Sequence, residues 1–309
     1  MFFITTQPDH KYYEWQIEAQ LYNLYKQLEY TIPYICLLTE ESEKRIDVRR
    51  LKKKFPLFNA YYFKDERQAK HYQPSIQPFL LKKFFHHNKN YCNQTSIIID
   101  ADVVFSNKLD LEQFKDQDQA FLSNTSSYLD YKYIFSKGGD ELFNKMCEIC
   151  SINPSIVKEE IIGGAQYILP SNTALFWSKV ESDSILLYDH LRSSIDYYRE
   201  KSETPDTYHP IQIWTASMWA IYYNLIYFNF KRNIPNTLNF CWPTDDIKRW
   251  DEVSIYHNAG ISEALSNEYF FKGRFINQPP VLSDIDKDFN KEKCSSNYVD
   301  ILRKSLFSS

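Results

Sequence analysis

The sequence predicts an α/β fold with a mainly parallel central sheet. Three observations carry that expectation. Strand-like and helix-like segments alternate through the first 120 residues, which is the ordering of β-α-β units. Apolar residues make up 43% and charged residues 25%, a globular balance that excludes wholesale disorder. No linker rich in Pro, Gly or Ser divides the 309 residues, and no internal repeat is visible. A single domain over 1–309 is therefore expected, with an extension from about 235 that wraps back.

The elements read in order as follows. Phe2–Thr5 is a short apolar strand. From Tyr12 to Leu28 the apolar residues Ile17, Leu21, Leu24 and Leu28 recur at spacings of 4, 3 and 4, one face of a helix. Pro33 breaks it, and Tyr34–Leu38 is a buried-strand run. Arg45–Lys54 is helix-like and basic, and Ala60–Phe63 is another strand. Gln77–Phe85 follows two prolines as a helix. Ser96–Ile99 is a β-branched run that ends in Asp100-Ala101-Asp102. Gln119–Leu122 and Gln166–Leu169 are further strands, and Ile211–Phe228 is a long aromatic helix. Ser254–Tyr256 is a short strand leading into His257.

Composition removes several function classes. The six glycines stand at 138, 139, 163, 164, 260 and 273, so no GxGxxG or Walker loop can be drawn. Dinucleotide-binding dehydrogenases, protein kinases and P-loop NTPases are thereby disfavoured. A net charge of -4 gives no global basic field for nucleic acid. Of the six cysteines only Cys147 and Cys150 are close, and no second CxxC or nearby His completes a zinc set. They read as two thiols on a helix. The N-terminus lacks the basic start and apolar core of a signal peptide, and no stretch reaches the length of a membrane span. A cytoplasmic protein is expected. Abundant Lys, Asn, Ile and Tyr fit an A/T-rich coding sequence, bacterial or viral.

The chemistry concentrates in three places. An apolar strand runs straight into Asp100 and Asp102. In open α/β sheets ligands bind at the carboxyl ends of strands, and two carboxylates there call for a cation. Oxygen ligands suit Mg²⁺ or Mn²⁺, and the imidazole of His257 would make a third ligand. Gly163-Gly164-Ala165-Gln166 places a glycine pair before a strand, with an amide able to bind hydroxyls. Taken singly, each feature also has a plain reading: an acidic loop, a structural His, a turn.

Together, Asp100-Ala101-Asp102, Gly163-Gly164-Ala165-Gln166 and His257-Asn258-Ala259-Gly260 resemble a GT-A-fold glycosyltransferase with a Rossmann-type sheet. The resemblance runs from Phe2 to about Pro280. Within that family the chain is similar to hydroxyproline O-arabinosyltransferase-like proteins, through Tyr13-Glu14-Trp15-Gln16, and to phage glycosyltransferases that decorate hydroxymethylated DNA bases. The resemblance implies a nucleotide-binding half over 1–122, an acceptor and donor-sugar half over 123–234, and the metal His in the extension over 235–309. It implies a nucleotide-sugar donor, UDP-linked, and a Mn²⁺ or Mg²⁺ ion. Asp102 and His257 would bind the metal, and Asp100 the ribose or the metal. Gly260 would let backbone meet the diphosphate, and Lys272 would neutralise a phosphate in the closed state. Gly163, Gly164 and Gln166 would line the sugar pocket, and the Thr5-Thr6-Gln7 segment, with Thr5 and Gln7, would face the nucleoside. Inverting members carry an acidic base at the start of a late helix. Here that region holds Gln212, with Asp206 nearby, so a retaining course is favoured.

The acceptor is the remaining question. Lys44 to Lys54 holds seven basic residues in eleven, including Arg45, Arg49, Arg50 and Lys53. Lys82 and Lys83 begin a second set interleaved with aromatics. Such sets suit phosphate contact and base stacking, which points to DNA, although each also reads as a solvated helix face. A glycan or protein hydroxyl is the alternative acceptor. A metal-dependent nucleotidyltransferase and an inactive binding module of the same fold are rival classes.

Overall fold

The structure is a computed structural model that describes residues 1–40, 45–115 and 118–307. Its strands are β1 (Phe2–Pro8), β2 (Tyr34–Thr39), β3 (Phe58–Phe63), β4 (Ser96–Ile98), β5 (Val103–Phe105), β6 (Gln119–Asn124), β7 (Gly163–Leu169), β8 (Lys231–Asn233), β9 (Phe240–Cys241) and β10 (Ile255–His257). Its α-helices are α1 (Lys11–Tyr22), α2 (Val48–Lys54), α3 (Ile76–His87), α4 (Ser126–Leu129), α5 (Tyr131–Ile149), α6 (Pro154–Val157), α7 (Ala174–Ser193), α8 (Ile195–Lys201), α9 (Ala216–Tyr227), α10 (Lys248–Glu252), α11 (Leu282–Ile285) and α12 (Cys294–Phe307). The chain divides into two compact units: Met1–Asp65 with Ile97–Phe114 and Asn236–Ser309, and Glu66–Ser96 with Lys115–Pro235. The α/β class is as expected. Pairing is mainly parallel, with β6 and β7 antiparallel.

In the first unit the strand order is β3-β2-β1-β4. Strand β2, Tyr-Ile-Cys-Leu-Leu-Thr, is buried at every position, as a strand covered on both faces must be. A second, three-stranded sheet has the order β5-β10-β9, with β10 antiparallel to β5 and parallel to β9. The core beside it is aromatic: Trp15, Tyr256, Phe270, Phe275, Phe289 and Tyr298 pack together with aliphatic neighbours. Helix α1 stops at Tyr22, short of the expected Leu28, and passes into a π-helical turn over Asn23–Gln27. There the Asn23 side chain accepts from the Phe105 N–H at 2.8 Å and donates to the Phe105 carbonyl at 2.9 Å. Its amide stands in for another strand on the edge of β5, a tertiary demand that period-counting does not register.

The basic helix α2 is partly spent on α1. Arg50 pairs with Glu14 at 2.9 Å and Glu18 at 2.6 Å, and Lys54 pairs with Glu18 at 2.8 Å. Burial alone would raise the Glu18 carboxyl, but the Arg50 and Lys54 hydrogen bonds outweigh it and hold it below the usual range. Glu18 therefore contributes stability that is present above its unfolded pKa of about 4.3 and is lost as pH falls through the folded value. Glu18→Gln is expected to cost about 1–2 kcal/mol at neutral pH, because both cations keep other acceptors and solvent. Urea melts at pH 7 and pH 3.5 check this: the deficit should shrink at the acid end.

In the second unit β6 pairs with β7 and β8, and α7 packs on α3 and α9. Trp177, Trp219 and Tyr223 are fully enclosed there. Helix α9 begins at Ala216, not Ile211. A 3₁₀ turn over Ile213–Thr215 precedes it, and the Tyr133 hydroxyl takes the Gln212 N–H at 3.0 Å. Gly138 and Gly139 kink α5, with Gly139 at φ 66°. Cys147 lies in α5 and Cys150 caps it; both thiols are free and buried, and burial pushes Cys147 up to about 12, which makes it a poor nucleophile. Among the described residues no helix is long and apolar enough to cross a membrane.

Candidate metal centre

The acid pair follows directly from β4. The chain leaves that strand at Ile98 and turns through Asp100 to Val103, whose N–H meets the Asp100 carbonyl at 3.2 Å. The turn is pinned from α1. The Gln20 amide donates to the Asp100 carbonyl at 2.8 Å and to the Val103 carbonyl at 2.6 Å. Gln20 is itself oriented by the Tyr34 hydroxyl, which donates to Oε1. Opposite, β10 runs antiparallel to β5 with His257 facing Val103, and the Asn258 N–H reaches the Asp102 carbonyl at 3.0 Å. Strand register alone thus delivers His257 beside Asp102.

The result is a compact donor set. His257 Nε2 lies 3.5 Å from an Asp102 oxygen and 3.8 Å from an Asp100 oxygen. One ligand atom from each of Asp100, Asp102 and His257 can be chosen so that all lie within 4.8 Å of one another. The Lys272 ammonium donates to Asp102 Oδ2. The Asp102 side chain is 8% exposed. Burial alone would raise its carboxyl, but Lys272 and then His257 outweigh that and hold it well below the usual range. Burial would lower the His257 imidazole, and the Asp102 carboxylate outweighs it and raises it. Two carboxylates suit Mn²⁺ or Mg²⁺, and the imidazole nitrogen favours Mn²⁺ of the two. The Trp242 ring stacks on His257 at 5.4 Å and 23°, fixing its plane. The buried His257 Nδ1 has no hydrogen-bond partner among the described residues, so Trp242 does the orienting that a carboxylate or carbonyl does at most metal-binding histidines.

Gly260, three residues beyond His257, has φ 83°, and a Cβ there would meet nothing within 4 Å. That left-handed backbone conformation favours glycine whatever the space around it. Thr5 and Gln7 are buried. The Thr5 hydroxyl donates to Gln7 Oε1 at 3.0 Å, and the Gln7 amide reaches Cys36 Sγ at 3.0 Å. Gln20, Trp242 and Tyr12 went unmarked in the sequence. Burial, Tyr12 and the carboxylates of Asp102 and Asp100 raise the hydroxyl of Tyr13, which opens the Tyr13-Glu14-Trp15-Gln16 element. Tyr12 adjoins that element and could have been found from it; Gln20 and Trp242 carry no local signal.

The other sequence candidates lie in the second unit. Gly163 and Gly164 fall inside β7, not before it. A Cβ on Gly163 would sit 2.5 Å from Leu122 Cβ, so protein packing already requires that glycine, whereas one on Gly164 would meet the flexible end of Met218 at 2.8 Å. The β6–β7 register slips after Leu122, and Ala165 takes φ 64° in the bulge. Ala165→Gly is expected to stabilise the fold by about 1 kcal/mol by relieving that left-handed alanine, checked by thermal melting. Gln166 accepts from the Ser123 hydroxyl at 2.7 Å, while its buried Nε2 has no partner among the described residues. Asp206 is exposed in a 3₁₀ turn over Pro205–Thr207, and Gln212 lies in the lead-in to α9.

Of the basic candidates, Arg45, Arg49 and Lys53 are exposed, and Arg50 is paired as described. Lys82 pairs with Glu181, and Lys83 with Glu66 at 2.6 Å. Lys44 lies outside the described residues.

No protein-family model matches the chain, and no curated protein matches it. Among solved structures it is similar to the galactosyltransferase LgtC in complex with donor and acceptor sugar analogues: 10% identity, 98% of this chain and 95% of that one, TM-score 0.43. An active-site mutant of LgtC matches at 10% identity, 97% and 95% coverage and TM-score 0.44. The bifunctional glycosyltransferase WbbM matches at 10% identity and TM-score 0.45, over 84% of this chain and 46% of WbbM. Identity this low leaves the chemistry of the site to be judged on this chain's own residues.

Proposed function

We propose that the chain is a divalent-metal-dependent glycosyltransferase that moves a sugar from a nucleoside-diphosphate sugar, UDP-linked, to a hydroxyl acceptor. The observation that carries this reading is the convergence of Asp100, Asp102 and His257 at the carboxyl end of β4. Asp102, His257 and Asp100 hold Mn²⁺ or Mg²⁺. Such an ion supplies electrostatic stabilisation to the departing diphosphate. Lys272 shares that task by neutralising phosphate charge, and Gly260 lets backbone N–H groups approach it. The Thr5–Gln7 segment of β1 supports the nucleoside side of the site from within the protein, since both side chains are buried and hydrogen-bonded there. Gly163, Gly164 and Gln166 line the donor sugar, and the unpartnered Gln166 amide supports this. Gln212 acts near the sugar in a retaining course, where a donor phosphate oxygen takes the acceptor proton. Asp206 is the base in the inverting alternative.

The acceptor proposed first is a hydroxymethylated DNA base. Exposed Arg45, Arg49 and Lys53 support it. The ion pairs that occupy Arg50, Lys82 and Lys83 favour the second reading, a glycan or protein hydroxyl.

The test incubates the protein with a panel of nucleotide sugars, with and without Mn²⁺. Metal-dependent donor hydrolysis is expected. Failure to hydrolyse or bind any donor, with metal or without, overturns the reading and leaves the inactive binding module. Mass analysis of hydroxymethylcytosine DNA against glycan and peptide acceptors separates the two acceptor readings.

A further inference from the structure

We infer that Lys272 is a built-in stand-in for the metal: in the metal-free chain its ammonium holds the Asp102 oxygen that the ion needs, and a diphosphate draws it away. The inference rests on the metal reading above and concerns what happens at that site before the donor arrives.

Oδ2 of Asp102 accepts from Lys272, and Oδ1 faces His257 Nε2 at 3.5 Å. An ion that engages both oxygens of this carboxylate takes the one that Lys272 holds. His257 can join the ion as a ligand. An ammonium has three N–H donors and no acceptor, so Lys272 cannot join it and gives up Oδ2. Charge leads to the same result. Lys272 offsets part of the charge of two adjacent carboxylates, and a dication added beside it would face a like charge in a partly buried site.

The movement falls to the side chain, not to a lid. Lys272 opens a 3₁₀ turn, Lys272–Phe275, whose flanks are anchored in the aromatic core. Phe270 and Phe275 stack at 5.3 Å and 11°, and each packs on Trp15. Phe270 is 1% and Phe275 7% exposed. Between them, a Cβ on Gly273 would lie 2.2 Å from the Phe271 ring, so the turn is as tight as glycine permits. Withdrawing the whole turn would unpack that core, whereas withdrawing the ammonium needs only rotations along a flexible stem. Phosphate oxygens are strong acceptors for an ammonium and offer it a new partner. Metal binding alone is therefore opposed by Lys272, and a diphosphate removes the opposition. Metal and donor favour each other through one side chain, and by linkage the effect is reciprocal.

The test uses the full chain, Mn²⁺ alone, and Mn²⁺ with uridine diphosphate. Reductive methylation of lysines, read by mass spectrometry, follows Lys272 in the unmutated protein, while electron paramagnetic resonance counts free Mn²⁺. Lys272 should label slowly without metal, several-fold faster with Mn²⁺ alone, and slowly again once the diphosphate is added. Lys272→Gln should bind Mn²⁺ alone about tenfold tighter, within the usual range of coupling between sites. If Mn²⁺ binds but Lys272 labelling does not change, the inference is overturned while the metal reading stands. The same holds if Lys272→Gln binds Mn²⁺ no tighter. If the unmutated protein and Lys272→Gln both fail to bind Mn²⁺, the metal reading itself falls. The labelling arm needs no variant, so a folding defect in Lys272→Gln leaves the inference testable.

Discussion

Asp102→Asn is expected to abolish measurable Mn²⁺ binding and to lower metal-dependent donor hydrolysis about a thousandfold. The amide keeps the shape of the side chain and removes the charge that Lys272 and His257 share. A factor of a thousand corresponds to about 4 kcal/mol, the scale of charge stabilisation that a bound cation provides. Lys272 then lies partly buried without its counter-ion. Breaking such a pair by removing one partner is strongly destabilising, so the melting temperature should also fall, by the equivalent of about 3 kcal/mol. Asp100→Asn is expected to do less, because that side chain is half exposed and makes no bond to Lys272. Metal titration of folded protein, with circular dichroism as the control, separates the loss of the ion from the loss of the fold. An Asp102→Asn variant that binds Mn²⁺ as tightly as the unmutated chain would place the ion elsewhere.

Gln20→Met is expected to be the more informative second variant, because Gln20 touches neither metal nor donor. It is fully buried, and its amide satisfies two carbonyls of the acid turn. A thioether of similar length leaves the Val103 carbonyl and the Tyr34 hydroxyl without this partner, and the Asp100 carbonyl with the Val103 N–H alone. Each buried orphan costs about 1–3 kcal/mol, so a total near 3–5 kcal/mol is expected in urea unfolding. The functional readout is different. Freed from its clamp, the turn should hold Mn²⁺ about 10–100-fold more weakly at a temperature where the variant is still folded, as when outer partners of metal ligands are removed elsewhere. Gln20→Glu, which keeps one acceptor and loses the donors, should show the same loss. A variant with lowered stability but unchanged Mn²⁺ affinity would make Gln20 a structural residue only.

Much of the fold was legible before any coordinates. Strand β2 sits at Tyr34–Thr39 where an apolar run begins after a proline, and β4 fills the β-branched run that precedes the acids. These are local signals of burial and period. Helix boundaries were less legible. Helix α1 ends early because Asn23 is drawn into the edge of β5, and α9 begins late because Tyr133 holds Gln212 outside the helix. Both are decided by partners far away in the chain, the Phe105 backbone and the Tyr133 hydroxyl. The basic run of α2 read as a nucleic-acid face, but Arg50 and Lys54 answer two acids of α1 that lie 32 and 36 residues earlier. Charge counting does not reveal which cations are already paired.

The candidate site divides in the same way. The residues Asp100, Asp102 and His257 can be picked from the chain because their types and order restrict the chemistry: hard oxygen ligands at a strand end, then an imidazole before a glycine. Periodicity and ligand chemistry are local properties, and the sequence by itself determined the α/β class and this donor set. It did not determine how the donors are held. The β5–β10 register sets His257 opposite Val103, and Gln20 clamps a turn 80 residues away. Lys272 crosses 170 residues of sequence to reach Asp102. Such pairings follow from long-range packing of whole elements, where any residue that arrives with suitable reach and charge will serve. Only the tertiary structure decided that the partner of Asp102 is a lysine of the chain itself.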